Sequence, residues 1–233
     1  MCEICGCMSP SRLAIEPRVS LLASNDEEAR HLRGHFLANG VIALNLMGSP
    51  GSGKTALLEA TARALTGRFE LAAVSGDLAT SLDAERLARA GIPALAITTG
   101  SACHLDAAMV HQALHDGPLG AAAARSDFFF IENVGNLVCP AIYDLGQKAN
   151  VVVLSVTEGV DKPLKYPVMF SRADLVILTK IDLLPYLPEV SVRVIRENLA
   201  RVMPAARMIQ LSSTTGAGVP DFVEWLAEQA ASL

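Results

Sequence analysis

The sequence predicts a three-layer α/β fold with a mainly parallel central sheet. Seven short apolar runs recur along the chain, and patterns with apolar residues at helical spacing separate most of them. Strands that are apolar throughout are buried on both faces, which is typical of a parallel sheet covered by helices. At 233 residues the chain is long enough for one such domain plus a tail. The predicted strands cover 41–47, 69–75, 94–97, 127–132, 151–156, 174–179 and 207–211, and the predicted helices 54–65, 81–90, 105–115, 190–201 and 219–231.

We divide the chain into an arm and a domain. Residues 1–24 hold a cysteine cluster and two prolines without a clear period, so we predict a flexible N-terminal metal-binding arm. Residues 25–233 are predicted to form the domain. The domain begins with a helix over 25–39, capped at Ser24 or Asn25 and ended by Gly40.

Composition excludes several classes of protein. The net charge of −5 argues against a nucleic acid or an anionic membrane surface as partner. No apolar run reaches membrane-spanning length, and the N-terminus lacks a basic flank followed by an apolar stretch. We therefore expect a cytoplasmic protein. The five cysteines are an odd number, and in a reducing compartment they are expected as ligands rather than as disulfides.

A phosphate-binding loop lies between the first predicted strand and the helix 54–65. Backbone N–H groups of such a loop, together with the helix N-terminus, face a bound anion. Lys54 is expected to reach the β- and γ-phosphates, and the Thr55 hydroxyl is expected to ligate Mg²⁺. The pattern Gly-x-x-x-x-Gly-Lys-Thr is matched by Gly48, Ser49, Pro50, Gly51, Ser52, Gly53, Lys54 and Thr55.

Guanine is the base that the sequence favours. The strand 174–179 ends in Thr179-Lys180-Ile181-Asp182, and a carboxylate at Asp182 accepts both N1–H and N2–H of guanine. Adenine lacks this pair of donors and would leave the charge unpaired. The Lys180 stem is expected along the base face. The small-residue loop after the last strand, which begins Ser212-Ser213, is expected to offer a backbone N–H to guanine O6.

Two carboxylates at strand ends are candidates for the magnesium site. Asp77 and Glu132 each follow an apolar run, and Mg²⁺ binds one or two carboxylates together with phosphate oxygens and water. Asp77 is alternatively the residue that orients the attacking water. We therefore name Lys54, Asp77 and Glu132 as candidate catalytic residues. Hydrolysis is expected to be slow, because no arginine finger or glutamine is evident.

The cysteines form two candidate metal sites. Cys2, Cys5 and Cys7 place three thiols at the N-terminus, which suits a soft or borderline divalent ion such as Ni²⁺ in a planar N,S field. An adventitious thiol cluster or a redox pair is the alternative. Inside the domain, Cys103, His104 and Cys139 make an incomplete tetrahedral set, which two facing subunits could complete.

The remaining histidines are interpreted as solvated helix positions. They form two pairs at i, i+4 spacing, which are weak metal sites at most. These residues are His31, His35, His111 and His115.

Together these motifs resemble the hydrogenase maturation GTPases of the HypB family. The resemblance covers nearly the whole chain. The matching segments begin with the N-terminal cysteine cluster, the phosphate loop and Thr179-Lys180-Ile181-Asp182, which were described above. The others are Gly76-Asp77-Leu78-Ala79-Thr80, Cys103-His104-Leu105-Asp106, Glu132-Asn133-Val134-Gly135-Asn136-Leu137-Val138-Cys139-Pro140 and Thr157-Glu158-Gly159-Val160-Asp161-Lys162-Pro163-Leu164-Lys165-Tyr166-Pro167.

The resemblance implies a P-loop GTPase of the signal-recognition and MinD class that dimerises on binding GTP. It implies a tight nickel site at Cys2, Cys5 and Cys7, and a nickel or zinc site at the dimer face. It also implies that Lys162 lies in a loop reaching the neighbouring subunit's nucleotide. The partners implied are other hydrogenase-maturation proteins and the hydrogenase large-subunit precursor. We expect nucleotide state to set metal affinity through the segments after Asp77 and Glu132.

Two departures from the family pattern affect these expectations. The arm has no histidine-rich stretch between Ser9 and Ser24, so bulk nickel storage is not expected. Ala108 stands where some relatives have a second histidine after the Cys-His pair, which favours one metal ion over two at the dimer face. The alternatives are the related urease accessory GTPases, a nickel or zinc buffer with a vestigial nucleotide site, and a phosphate-loop kinase.

Overall fold

A parallel seven-stranded sheet organises the computed structural model, which describes residues 15–115, 117–205 and 207–232. The strand order is β3-β2-β4-β1-β5-β6-β7, and every pairing is parallel. All seven predicted strands are present, with bounds within two residues of those predicted. The strands are β1 (Ile42–Met47), β2 (Leu71–Asp77), β3 (Ala94–Thr98), β4 (Phe128–Glu132), β5 (Ala149–Ser155), β6 (Leu175–Thr179) and β7 (Met208–Gln210).

Helices cover both faces of the sheet. The five long helices predicted after residue 50 are confirmed, again within two residues at each end. Three short helices, Leu119–Ala123, Lys162–Lys165 and Pro167–Ser171, were not predicted as separate elements. The helices are α1 (Ile15–Ala38), α2 (Lys54–Leu65), α3 (Leu82–Arg89), α4 (Ala107–His115), α5 (Leu119–Ala123), α6 (Lys162–Lys165), α7 (Pro167–Ser171), α8 (Val192–Val202) and α9 (Val219–Ala231).

The start of helix α1 differs from the prediction. The helix begins at Ile15, well before the cap expected at Ser24 or Asn25, so the predicted boundary between residues 24 and 25 falls inside it. The Asn25 side chain has another use, because its Oδ1 accepts the N–H of Ala107 at 2.9 Å and its Nδ2 donates to the Asp144 carbonyl at 2.9 Å. Asn25 therefore serves the first turn of α4 rather than the start of its own helix.

Alternate residues of each strand pack into apolar layers on opposite faces of the sheet. Phe128 and Phe130 of β4 lie in the layer with α2, α3 and α9, whereas Phe129 lies in the layer with α1 and α4. A third cluster joins β5 and β6 to α7 and α8. All three phenylalanines are fully buried. The three-layer prediction is therefore confirmed, with buried side chains on both faces of one strand as the sequence pattern required.

The carboxyl ends of the parallel strands meet at one edge of the sheet, where ligands bind in open α/β folds. Strand β1 is central, between β4 and β5, so its exit loop is surrounded by the exits of its neighbours. This arrangement brings the predicted phosphate, base and thiol residues to the same edge. Among the described residues, no helix has the length and apolar character needed to cross a membrane.

Candidate functional site

The phosphate loop has the backbone that an anion cradle requires. β1 ends at Met47 and α2 begins at Lys54. Gly53 precedes the helix with φ of 100°, in the left-handed region that favours glycine. A Cβ at Gly48 would lie 2.3 Å from the Val153 carbonyl oxygen, so a side chain is excluded there. Strand, glycine-rich turn and helix N-terminus thus form as the sequence predicted.

Lys54 lies over its own loop. Its Nζ donates to the carbonyls of Gly48 and Ser49, both at 3.3 Å, and the residue is only 8% exposed. Burial lowers the pKa of Lys54, while Glu132, Asp83 and Glu158 act in the opposite direction. The ammonium group is therefore held at the phosphate loop among three carboxylates.

Glu132 at the end of β4 is the most buried carboxylate of the site. It is 2% exposed, and its two oxygens accept hydrogen bonds from the Thr55 hydroxyl at 2.6 Å and the Ser75 hydroxyl at 3.4 Å. Burial raises its pKa to about 7, although the Thr55 hydroxyl and Lys54 favour the ionised form. A hydroxyl and a carboxylate in direct contact are the oxygen donors that Mg²⁺ takes in proteins.

Asp77 at the end of β2 orders its own turn. Its Oδ1 accepts the N–H groups of Ala79 at 2.9 Å and Thr80 at 2.8 Å. These backbone hydrogen bonds lower the pKa of Asp77, so its side chain is an anion where it lines the cleft described below.

A cleft of about 430 Å³ joins these groups and exposes two residues that sequence reasoning missed. Asp83 and Arg86 of α3 line it together with Lys54, Asp77 and Glu132. The Arg86 side chain is immobilised by hydrogen bonds that it donates to Glu59 at 3.0 and 2.9 Å and to Asp83 at 3.2 Å. The sequence could have indicated these two residues through their position alone, because α3 is the helix that follows the Asp77 turn.

The predicted base-recognition segment is joined to the phosphate loop. The Thr179 hydroxyl donates to the Ser52 carbonyl at 2.6 Å, and Lys180 Nζ donates to the Gly51 carbonyl at 2.7 Å. Lys180 adopts φ of 60°, which is unusual for a residue with a side chain. The two side chains therefore bind the loop backbone in this structure, and the Lys180 stem spans from β6 toward Gly51.

Asp182 and the serine loop follow neighbouring strands. β6 pairs with β7, and the Ile181 N–H donates to the Leu211 carbonyl at 3.4 Å. Asp182 lies in the first turn of a short 3₁₀ helix (Ile181–Tyr186) and is partly exposed. Ser212 is buried and Ser213 is half-buried, and the loop closes on itself because Ser212 Oγ accepts the Thr215 N–H at 3.1 Å. The two segments thus lie side by side.

Lys162 reaches the phosphate loop through a glutamate. Its Nζ lies 4.0 Å from Glu158 Oε2, and the same oxygen accepts a hydrogen bond from the Ser49 hydroxyl. Glu158 also accepts the Ser155 N–H at 2.8 Å at the end of β5. Lys162 is therefore close to the phosphate loop of its own chain.

Cys103, His104 and Cys139 converge in space. The two sulfurs are 3.0 Å apart, and Cys103 Sγ is 3.9 Å from His104 Nδ1. One ligand atom from each of the three residues lies within 4.8 Å of the others, and all three side chains are half-buried. We call these three residues the thiol–imidazole cluster.

The protonation of this cluster suits a metal ligand set. Burial lowers the pKa of His104, with Asp106 acting against it, so the ring is neutral and offers a lone pair. The hydrogen bond from Cys103, together with burial, raises the pKa of Cys139. Two close sulfurs resist carrying two negative charges, which a divalent ion would relieve. The His104 ring is fixed by stacking on Tyr143, with centroids 3.9 Å apart.

The segment after Glu132 connects this cluster to the phosphate loop. Asn136 pairs with Gly48 in an antiparallel bridge, and its side-chain Nδ2 donates to the Cys103 carbonyl at 3.2 Å. A Cβ on Gly135 would lie 2.8 Å from Pro50, so these backbones are in direct contact. Asn133 accepts the Leu105 N–H at 3.0 Å. Both halves of the thiol–imidazole cluster are thereby linked to the phosphate loop.

Comparison with known proteins agrees with these motifs. The family described as CobW/HypB/UreG, nucleotide-binding domain, matches residues 42–210. The hydrogenase maturation factor HypB of Cupriavidus necator is 46% identical, over 91% of this chain and 69% of its own length. The chain belongs to the HypB family of hydrogenase maturation factors. A crystal structure of HypB from Helicobacter pylori in complex with nickel is 42% identical with a TM-score of 0.85, covering 90% of this chain and 96% of that one.

The fold class of this HypB-family chain is also confirmed. The signal recognition particle 54 kDa protein of Aeropyrum pernix, in complex with GDP, has a TM-score of 0.52 over 82% of this chain and 49% of that one. At 14% identity this likeness shows the fold alone. The predicted family and the predicted P-loop GTPase fold of the signal-recognition class are therefore both correct.

The described residues bring together three of the predicted groups in this HypB-family chain. They are the phosphate loop with Glu132, the base segment with the serine loop, and the thiol–imidazole cluster. Cys2, Cys5 and Cys7 lie outside the described residues. The nickel site predicted there stays a prediction.

Proposed function

We propose that this chain is a GTP-hydrolysing nickel metallochaperone that helps insert nickel into hydrogenase during its maturation. Membership in the HypB family supports the process, and a nickel complex of a relative supports the metal. The observation that carries the proposal is the double connection of Asn136. Its backbone pairs with Gly48 of the phosphate loop, and its side chain holds the Cys103 carbonyl.

Guanosine triphosphate is the proposed nucleotide. The N–H groups of Gly48–Thr55 and the start of α2 bind the phosphates, and Lys54 turns from its loop carbonyls to the β- and γ-phosphates. Asp182 accepts the two guanine donors, with the Ser212–Ser213 loop beside it. Hydrogen bonds from Thr179 and Lys180 to the loop backbone hold the base and phosphate segments in register.

Magnesium is the proposed cofactor of hydrolysis, and the residues present fit it. The Thr55 hydroxyl and the Glu132 carboxylate are adjacent, and both are hard oxygen donors. The raised pKa of Glu132 reflects burial of a carboxylate that a divalent ion would stabilise in its charged form. When bound there, Mg²⁺ would supply positive charge that offsets the negative charge of the nucleotide's phosphates.

The residues of the cleft then divide the work of hydrolysis. Lys54 stabilises negative charge on the phosphates, and Glu132 is the carboxylate that would bind the magnesium ion. Asp77, an anion with a fixed turn, either binds the cation's shell or orients the attacking water. Arg86 is committed to Glu59 and Asp83, so it is not free to act as an arginine finger. Slow turnover follows from that arrangement.

Nickel is the cargo, bound at two sites. The thiol–imidazole cluster supplies two sulfurs and one nitrogen within 4.8 Å, a donor set suited to Ni²⁺ or Zn²⁺. One protomer offers three ligands, so a second protomer facing it on GTP binding completes the shell. Cys2, Cys5 and Cys7 of the arm hold Ni²⁺ for transfer. Lys162 is the candidate for contact with the partner's nucleotide.

Nucleotide state controls the metal through the segment 132–139. A bound γ-phosphate draws Glu132 and Gly135 toward it, and Asn136 moves with them. Because Asn136 is hydrogen-bonded to the Cys103 carbonyl, the Cys103 loop moves as well. Hydrolysis releases these contacts and lowers metal affinity. The remaining partners are other maturation proteins and the hydrogenase large-subunit precursor. Reduced thiols are required, which is consistent with a cytoplasmic protein.

The test is nickel titration of the full chain in two nucleotide states. The background carries Cys2→Ala, Cys5→Ala and Cys7→Ala, so that the thiols of the arm do not contribute to nickel binding. We expect a non-hydrolysable GTP analogue to change nickel affinity at least about tenfold relative to GDP, a coupling of about 1.4 kcal/mol. Light scattering on the same samples reports whether the analogue produces a dimer.

The matched variant adds Cys103→Ala and Cys139→Ala to that background. It should bind GTP like its parent and show no nucleotide-dependent nickel binding. If nickel affinity in this variant still follows nucleotide state, the thiol–imidazole cluster is not the coupled site. If the parent turns over no GTP, a metal buffer with a vestigial nucleotide site is the better description.

A further inference from the structure

A chain of four side-chain amides crosses the interior of the domain. Asn133 Nδ2 donates to Asn45 Oδ1 at 3.2 Å, and Asn45 Nδ2 donates to Asn150 Oδ1 at 3.1 Å. Gln147 Nε2 donates to the same Asn150 oxygen at 3.1 Å. We call Asn133, Asn45, Asn150 and Gln147 the amide relay. It joins the exit of β4 to the central strand β1 and to the start of β5.

The central member of the amide relay occupies a position where the sheet otherwise carries apolar side chains. Asn45 is fully buried in β1, and Ala43 and Met47, which share its face of the sheet, belong to apolar clusters. An amide buried there without partners would destabilise the fold. The Asn45 oxygen and nitrogen instead find partners on opposite sides of β1. The buried amide therefore supplies a connection across the sheet that an apolar residue could not.

Backbone N–H groups at its two ends fix the direction of every hydrogen bond in the amide relay, because a backbone N–H only donates. Leu105 N–H donates to Asn133 Oδ1 at 3.0 Å, so the Asn133 NH₂ group has to face into the relay. At the other end Leu145 N–H donates to Gln147 Oε1 at 2.7 Å, so the Gln147 NH₂ group also faces inward. The two directions meet at Asn150 Oδ1. Reversing any one amide would bring like groups together.

Both ends of the amide relay hold segments that contact or adjoin the His104 ring. Leu105 directly follows His104, and Leu145 lies two residues after Tyr143, whose ring stacks on His104 with centroids 3.9 Å apart. Residues that orient a metal ligand from behind typically change metal affinity about 10–100-fold when they are replaced. The strand of Asn45 leads directly into the phosphate loop. The relay therefore connects the surroundings of His104 to the strand that carries the phosphate loop.

We propose that the amide relay positions the Cys103–His104 loop for nickel and keeps it in register with the phosphate loop, with Asn45 as the central positioning residue. This inference rests on the proposed nucleotide control of nickel at the thiol–imidazole cluster. Asn45 acts through Asn133. Without its acceptor on Asn45 the Asn133 amide is free to rotate, and the Leu105 N–H loses a fixed partner. The Cys103–His104 loop then no longer follows the segment 132–139.

Asn45→Leu tests the amide relay, because leucine has nearly the shape of asparagine and no hydrogen-bonding group. The background is again Cys2→Ala, Cys5→Ala and Cys7→Ala, and nickel is titrated with GDP or with a non-hydrolysable GTP analogue. We expect nickel binding with the analogue to weaken about tenfold, while affinity for the analogue without nickel stays parental. In protein free of metal and nucleotide, hydrogen exchange at the Leu105 N–H should accelerate at least about tenfold.

Thr61→Val is the matched control for loss of a buried hydrogen bond. The Thr61 hydroxyl is fully buried in α2 and donates to the Leu57 carbonyl at 2.8 Å, and valine keeps its shape. This variant should melt at a lower temperature and still show parental nickel binding in both nucleotide states and parental exchange at Leu105. A merely structural contribution of Asn45 would give the same result.

Gln147→Met interrupts the amide relay at a half-buried position and decides the matter if Asn45→Leu does not fold. It should weaken nickel binding with the analogue about threefold, as expected for loss of a neutral hydrogen bond. The proposal is overturned if the folded relay variants keep parental nickel affinity in both nucleotide states and parental exchange at Leu105. If the parent shows no nucleotide dependence, the proposed function fails instead, and nickel affinity with exchange at Leu105 decides whether the relay positions the loop.

Discussion

We expect Glu132 to destabilise the metal-free protein at neutral pH and not in mild acid. Burial raises the pKa of this carboxyl from 4.5 to about 7. Between these values Glu132 holds a proton in the folded chain that it has lost in the unfolded chain, so its contribution to stability falls as pH rises. The loss is complete above about pH 7 and amounts to about 3 kcal/mol, because one pKa unit corresponds to 1.36 kcal/mol.

Glu132→Gln removes the titration and keeps an oxygen that accepts the Thr55 hydroxyl. Without metal or nucleotide, the variant should exceed its parent in free energy of unfolding by about 3 kcal/mol at pH 8 and by about zero at pH 4.5. Urea unfolding in EDTA, followed by circular dichroism from pH 4.5 to 8, measures the difference. The same variant should lose most GTP hydrolysis, because the amide cannot hold a divalent ion as a carboxylate does.

Two comparisons make this reasoning refutable. Glu70→Gln, at an exposed glutamate just before β2, should change stability little at any pH. Mg²⁺ with a GTP analogue should stabilise the parent more than the variant, since only the parent gains a metal ligand. A difference between Glu132→Gln and parent that is constant across the pH range would show that burial of the charge is not its cause.

Three further substitutions test other parts of the site. Asp182→Asn should weaken GTP binding by about 1.5–3 kcal/mol and allow xanthosine triphosphate to bind, as measured by competition binding. Unchanged GTP affinity would refute the base assignment. Gly135→Ala places a Cβ 2.8 Å from Pro50 and should reduce GTP affinity together with nucleotide-dependent nickel binding; normal values of both would separate this contact from the coupling. Gly34→Ala, where a Cβ has no neighbour within 4 Å, should stabilise helix α1 by about 0.5–1 kcal/mol with GTP binding unchanged.

The architecture was predictable because it depends on local patterns. Each strand is a short apolar run, and three consecutive phenylalanines in β4 require cover on both faces of the sheet. The phosphate loop is a contiguous motif. Glycine is required at Gly53 because its φ is positive, and at Gly48 because the Val153 carbonyl leaves no room for a side chain. Cys103 and Cys139 could be grouped because they follow β3 and β4, whose carboxyl ends lie at the same edge of the parallel sheet with β2 between them.

The errors and omissions involve side chains whose partners are distant in sequence. Asn25 resembles a helix cap, yet it bonds to Ala107 and Asp144, and no local rule identifies such partners. Arg86 was missed because its place at the cleft depends on how α3 packs. The contact between His35 and His115 depends on α1 lying against α4. These features require the tertiary arrangement and cannot be inferred from periodicity.

The coupling between nucleotide and metal cannot reside in one contact. A swing from mostly closed to mostly open requires about 5.5 kcal/mol of differential binding, whereas a neutral hydrogen bond such as Asn136 to the Cys103 carbonyl contributes about 1 kcal/mol. The Asn133 bond to Leu105 and the contact of Gly135 with Pro50 add to it. The rest has to come from charge-assisted bonds to the γ-phosphate. Replacing Asn136 alone should therefore weaken nucleotide control of nickel without abolishing it, whereas removing the γ-phosphate should abolish it.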